Sequence, residues 1–154
     1  MTPADTHAPR LFDTEAQITT VGEGLLACTL PRPRWTHEAH LAACLYLVLR
    51  RPDIRLETEL PGIISRYNIS VGGENTDTSG YHETITQFYI RVVRAFAAEA
   101  TAGPETALLP LCNRLLTDER GQRDYPLRFW SRDALFSVPA RRGWVEPDVE
   151  ALPF

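Results

Sequence analysis

Three histidines near two predicted helix starts are the residues best suited to chemistry. His37 and His40 stand three positions apart at the start of one helix, so their side chains lie on one face, within reach of a shared ion. His82 begins another helix. Three neutral imidazoles with one open position form a common catalytic metal site, and the positive potential of a helix N-terminus favours neutral, ligating histidine. This spacing predicts a divalent transition metal, zinc or iron, bound by His37, His40 and His82.

Glu83 is the candidate catalytic residue beside this site. Neighbouring helical residues point about 100 degrees apart, so Glu83 and His82 would not readily bind one metal together. Glu83 is therefore predicted to act as a general base or to orient a metal ligand. Cys44 lies on the helix face of the paired histidines as a fourth-ligand alternative, although a small buried core cysteine is more common. The residues predicted to line an adjoining pocket are Arg66, Tyr67, Asn68, Asn75, Thr78 and Tyr81.

The stretch 71–86, VGGENTDTSGYHETIT, joins a glycine turn to a run of short polar side chains. These residues are predicted either to face a small-molecule ligand, with Arg66 receiving an anionic group, or simply to form capping and Asx turns. A helix cap at Asp77 or Thr78 is compatible with both. The histidines have an equally plain alternative. The pair on one helix would be polar residues in an exposed first turn, and His82 would bond a neighbouring loop.

All sixteen basic residues are arginine, and none is lysine. Arginine stays protonated and cannot act as an amine nucleophile. Pyridoxal phosphate attachment, other Schiff-base chemistry and the Walker A lysine are therefore excluded. The net charge of −4, without a cluster of basic residues, also argues against a nucleic-acid partner.

Apolar runs and cysteines suggest a location for the chain. The longest apolar run, 41–49, is about half the length of a membrane span, so no membrane association is predicted. The N-terminus lacks the basic and apolar blocks of a signal peptide, which makes the cytoplasm the expected location. Cys28, Cys44 and Cys112 lie far apart without a CxxC spacing and are expected to be reduced and buried. The sequence gives no indication of an oligomeric state.

Helical periodicity and capping residues predict an all-α fold, a single compact bundle of about five main helices with short helical pieces at the C-terminus. The length suits one domain: a mobile N-terminal tail over 1–12 and a helical domain over 13–154. Pro61-Gly62 is expected to break or kink the third helix, leaving a short helix and then 63–69. Other predicted features are N-caps at Thr14, Thr36, Ser131 and Ser137, helices over 81–100 and 105–117, and a C-terminal tail packed along the body.

Several motifs together resemble a family of small uncharacterised bacterial helical proteins. They include WTHxxH at 35–40, RYN at 66–68, GGENTDTSGYHETIT at 72–86 and FWSR at 129–132. The resemblance covers nearly the whole chain from Leu30 onward, and the family has no established activity. The three histidines and Glu83 belong to its motifs, which supports the metal site, whereas Cys44 and Glu38 do not belong to them.

Two functions from different classes follow from these observations. The first is a metal-dependent enzyme acting on a small molecule, with Glu83 as base or ligand orienter. The alternative is a metal-free helical module whose polar loop binds a ligand or a partner protein. In a third, purely structural interpretation, the same motifs supply buried hydrogen bonds.

Overall fold

The computed structural model describes residues 8–154, and its helices start where the sequence offers capping side chains. This part of the chain contains seven α-helices and no strand, which confirms the all-α bundle with five main helices. None of these helices is long and apolar enough to cross a membrane. The helices are α1 (Glu15–Ala27), α2 (His37–Arg50), α3 (Leu56–Ser70), α4 (Glu83–Glu99), α5 (Leu108–Thr117), α6 (Arg132–Leu135) and α7 (Val138–Arg142).

Threonine N-caps fix the starts of the first two helices, as predicted. Thr14 Oγ1 accepts the N–H of Gln17 at 3.3 Å, while the Gln17 side chain accepts the N–H of Thr14, which completes a capping box. Thr36 Oγ1 accepts the N–H of Ala39 at 3.2 Å. Because α2 begins directly after Thr36, this cap places the paired histidines in the first turn of the helix.

Helix α2 is the centre of the bundle and packs against α1, α4 and α5. Ala42, Leu45 and Leu47 are fully buried, so the helix is apolar on several sides. Small residues at the helix crossings let neighbouring helices approach closely. A Cβ added at Gly22 of α1 would collide with the ring of Tyr46, so this crossing depends on glycine.

Helix α3 is continuous, so the predicted break after Pro61 is wrong. Proline has no N–H to donate to the carbonyl four residues earlier, which belongs to Glu57. That carbonyl instead accepts a hydrogen bond from Gln87 Nε2 of α4 at 2.8 Å. A tertiary contact thus supplies the hydrogen bond that the helix itself lacks, and local sequence rules do not include such contacts.

Helix α5 begins at Leu108, slightly later than predicted, because a turn precedes it. The N–H of Thr106 donates to the carbonyl of Gly103, and Thr106 Oγ1 accepts the N–H of Gly103 at 2.8 Å. The first N–H of α5, that of Leu108, donates to Glu15 Oε2 of α1 at 3.3 Å. The start of α5 is therefore set by a neighbouring helix.

The C-terminal third forms a second, smaller core against α4. Ser131 and Ser137 cap α6 and α7 as predicted, accepting from the N–H groups of Ala134 and Ala140. The tail after α7 packs on the body, since the Trp144 ring lies 5.6 Å from that of Trp130. The buried residues of this core are Phe88, Val92, Tyr125, Phe129, Trp130 and Leu135.

The predicted N-terminal tail, 1–12, lies partly outside the described residues, since 1–7 are not among them. Within the described part, the N–H of Arg10 donates to Glu38 Oε1 at 3.3 Å. Phe12 exchanges two hydrogen bonds with the side chain of Asn113, each at 2.9 Å. Residues 10–12 are thus bonded to α2 and α5.

Candidate functional site

The loop between α3 and α4 is closed by its own side chains. Asn75 Oδ1 accepts hydrogen bonds from Asn68 Nδ2 and from the N–H of Tyr81, both at 3.0 Å, and Asn75 Nδ2 donates to the carbonyl of Ser65. Gly80 has a φ of +83°, and a Cβ there would collide with the carbonyl of Glu74. The polar run therefore folds the loop back onto α3.

His82 joins this loop to the C-terminal third and caps α4. Its Nδ1 accepts the N–H of Ile85 at 3.2 Å, so the ring proton lies on Nε2, which donates to the carbonyl of Leu135 at 2.8 Å. His82 is 8 % exposed, and burial lowers the pKa of its ring. The predicted cap at Asp77 or Thr78 is wrong, because His82 provides that cap.

The Glu83 carboxylate accepts hydrogen bonds from one residue just before α4 and from one residue within it. Its Oε1 accepts from the hydroxyl of Tyr81 at 2.5 Å and from Gln87 Nε2 at 3.1 Å. Gln87 is the same residue that donates to the carbonyl left open by Pro61. Glu83 thus belongs to a chain of hydrogen bonds that ties the start of α4 to α3.

The paired histidines of α2 are held differently from His82. His37 donates from Nε2 to the carbonyl of Gly121 at 2.8 Å, and His40 donates from Nδ1 to the carbonyl of Thr36 at 2.6 Å. Because a carbonyl only accepts, each of these nitrogens carries the proton. In the neutral ring the other nitrogen, Nδ1 of His37 and Nε2 of His40, keeps its lone pair.

Burial keeps both rings neutral at neutral pH. It lowers the pKa of His37, and it lowers that of His40 to about 4, with the Arg123 guanidinium acting in the same direction. The His40 ring has exposed surface although protein surrounds it, because it lines an open cavity. One face of the ring stacks on Trp35, with ring centroids 3.7 Å apart.

This cavity, called here the α2–α4 cavity, has a volume of about 480 Å³. Helices α1, α2, α3 and α4 contribute mostly aliphatic and aromatic side chains to its wall, and four of the residues with polar atoms lie at the start of α2. Volumes and walls of this kind are typical of small-molecule sites. The lining residues that carry polar atoms in their side chains are Trp35, Thr36, His37, His40, Cys44, Thr86, Tyr89 and Arg123.

Comparison with known proteins provides no counterpart for this arrangement. No protein-family model, curated protein or solved structure matches the chain. The resemblance inferred from the sequence motifs therefore stays a prediction.

The histidines predicted to share a metal fall into two groups. His37 and His40 both line the α2–α4 cavity, whereas both nitrogens of His82 are bonded to backbone elsewhere. Across 8–154, no three His, Cys, Asp or Glu side chains are grouped to hold a metal ion. The three-histidine site stays a prediction, and it would require the His82 ring to release at least one of its two hydrogen bonds.

Cys44 lines the same cavity as the paired histidines, yet its chemistry differs from that of a metal ligand. Burial raises the pKa of its thiol to about 12. A thiol must lose its proton to bind a metal, so this environment favours the inert core cysteine that its small size suggests.

None of the six predicted pocket residues is in the wall of the α2–α4 cavity. Tyr67 is fully buried and donates from its hydroxyl to the carbonyl of Leu30 at 2.8 Å. Arg66 and Thr78 are exposed, and the N–H of Thr78 donates to Thr76 Oγ1. Contact of these residues with a ligand stays a prediction.

Sequence reasoning missed three polar residues of the cavity wall, Thr86, Tyr89 and Arg123. Tyr89 follows the helical spacing of the apolar face of α4, which is typical of core residues, yet it lines the cavity together with Ile85. Arg123 lies in a short turn between helical pieces, where nothing in the sequence distinguishes it from the other arginines. The proximity of Tyr89 to His37, with ring centroids 5.7 Å apart, arises only from packing.

The lowered pKa values of the histidines predict acid destabilisation. Between about pH 6.5 and 4, these histidines bind more protons in the unfolded chain than in the folded one. The free energy of unfolding therefore falls as the pH falls. Urea unfolding in steps of about one pH unit would measure this slope. His40→Gln should make the slope shallower, and a wild-type stability independent of pH in this range would contradict the prediction.

Proposed function

We propose that the chain binds a small molecule with a mainly apolar body in the α2–α4 cavity, and that His40 accepts a hydrogen bond from its polar group. One observation carries this proposal: an apolar cavity of about 480 Å³ contains a neutral histidine whose Nδ1 is already bonded to backbone. Its Nε2 is therefore the acceptor. A neutral ring can accept a ligand donor without the cost of burying a charge.

A cavity-filling variant tests the proposal. With 4-phenyl-1-butanol as the probe, amide NMR shifts of the wild type should report binding at about 1 mM or tighter. Thr86→Phe places a ring in the wall of the cavity and should weaken binding at least about tenfold. Thr58→Phe, at an exposed position of α3, is the matched control and should bind like the wild type.

Two outcomes would contradict this binding site. One is the absence of any saturable shift change in the wild type. The other is equal weakening by the Thr86 and Thr58 variants, since only Thr86 lies in the cavity wall. Melting temperatures of both variants would show that each remains folded.

A second candidate is the metal-dependent enzyme acting on a small molecule that the motifs predict. It is favoured by the way His37 and His40 are held, because a metal-bound histidine usually donates its other ring N–H to a carbonyl or carboxylate. His82 would be the third ligand and Glu83 the general base. When bound, zinc or iron would supply Lewis-acid or redox chemistry.

Metal analysis of protein purified without a nickel column tests this second candidate. It predicts about one equivalent of zinc or iron, lost in His37→Ala and His40→Ala, and a higher melting temperature on adding the metal. Less than about 0.2 equivalents, with no gain in melting temperature, would contradict it.

A further inference from the structure

The wall of the α2–α4 cavity contains a single side chain with a formal charge, that of Arg123. We infer that the ligand of this cavity carries an anionic group, such as a carboxylate, and that Arg123 binds it. This inference rests on the proposed small-molecule site. It assigns the anion to Arg123, whereas the sequence suggested Arg66, which lies outside the cavity wall.

The side-chain donors of Arg123 are available, whereas those of several other arginines are held in ion pairs. Arg94, Arg120 and Arg142 each form a two-pronged ion pair with one carboxylate. Within residues 8–154, the Arg123 side chain has no hydrogen bond or ion pair, and it is exposed. A guanidinium binds a carboxylate through two parallel N–H donors. In the part of the chain that the structure describes, no side-chain N–H donor of Arg123 is used in a hydrogen bond.

The charges around the α2–α4 cavity favour an anionic ligand group beside Arg123. No acidic residue lines the α2–α4 cavity. A cationic ligand would therefore meet the guanidinium without a compensating negative charge, whereas an anion would neutralise it.

A second cavity, of about 690 Å³, shares His37 and Arg123 with the first and holds the nearby acidic residues. Glu38 and Asp124 line this second cavity together with Arg132. Since those carboxylates face the second cavity, the anion is expected on the α2–α4 side of Arg123.

The lone pair of His40 adds a constraint on the ligand. With Nδ1 protonated, Nε2 carries a lone pair that would repel a carboxylate oxygen placed directly against it. The anionic group at Arg123 and the donor at His40 are therefore separate groups of the ligand. A hydroxy acid with an apolar body has this combination.

Binding of 4-phenylbutyrate and 4-phenyl-1-butanol tests the inference, because the two probes share an apolar body and differ in charge. The wild type should bind the carboxylate about five- to tenfold more tightly at low salt, and added salt should reduce this preference. Arg123→Gln should abolish the preference, because it should weaken binding of the carboxylate much more than binding of the alcohol. Arg66→Gln removes the same charge from an exposed position outside the cavity and should keep the preference.

The outcomes separate this inference from the function on which it rests. If the alcohol binds in the cavity but the carboxylate has no advantage, or if both glutamine variants reduce the preference equally, the inference is wrong and the cavity remains a binding site. If neither probe binds the wild type, the proposed function fails and this inference fails with it.

Discussion

Replacing His82 with alanine is expected to lower the free energy of unfolding by about 2 to 4 kcal/mol. The substitution removes the N-cap of α4, which the N–H of Ile85 uses, and it leaves the carbonyl of Leu135 without its donor. It also empties the space of a ring that is only 8 % exposed. Chemical unfolding of both proteins at neutral pH would measure the difference.

Two further variants separate the roles of the His82 ring. His82→Asn keeps a good N-cap but does not reproduce the ring's reach to α6, so it should recover about half of the lost stability. His40→Ala removes a ring with exposed surface and should cost less than about 1 kcal/mol. If His82→Ala were no more destabilising than His40→Ala, the structural role assigned to His82 would be wrong.

Replacing Trp130 with alanine is expected to cost about 3 to 5 kcal/mol. The side chain is fully buried, and its ring makes edge contacts with Phe88 at 5.2 Å and Trp144 at 5.6 Å. Its Nε1 donates to the carbonyl of Val145 at 2.9 Å. The substitution would therefore open a large cavity in the second core and leave a carbonyl unpaired.

Trp130→Phe is the matched control, since it keeps an aromatic ring and removes the hydrogen bond. It should cost clearly less than the alanine variant, about 1 to 2 kcal/mol. Denaturant midpoints and slopes of the three proteins would measure these costs. Similar stability of Trp130→Ala and the wild type would show that the C-terminal third contributes little to the folded state.

The C-terminal third also forms hydrogen bonds with the loop before α4. These bonds connect the second core to the loop that precedes His82. Arg141 donates to the carbonyls of Gly80 and Tyr81, at 2.9 and 3.3 Å. Arg142 pairs with Asp77 through two contacts of 2.6 and 2.7 Å. Loss of packing around Trp130 is therefore expected to loosen the loop and its His82 cap as well.

Features governed by neighbouring residues could be read from the sequence. The N-caps at Thr14, Thr36, Ser131 and Ser137 stand where the spacing of polar and apolar residues indicates, because a cap depends on an N–H only two or three residues away. The all-α class follows from the same local rules. The absence of lysine alone excluded lysine chemistry.

Features that depend on distant partners required the tertiary structure. Gln87 of α4 supplies the donor that lets α3 continue past Pro61. Packing also decided which ring nitrogens keep a lone pair, because the carbonyls that accept from His37 and His82 lie 84 and 53 positions away in the chain. Arg123 reaches the cavity wall for the same reason. The sequence by itself determined the all-α class and the caps at Thr14, Thr36, Ser131 and Ser137. The tertiary structure decided which polar side chains face the cavity, since that depends on contacts that no local pattern encodes.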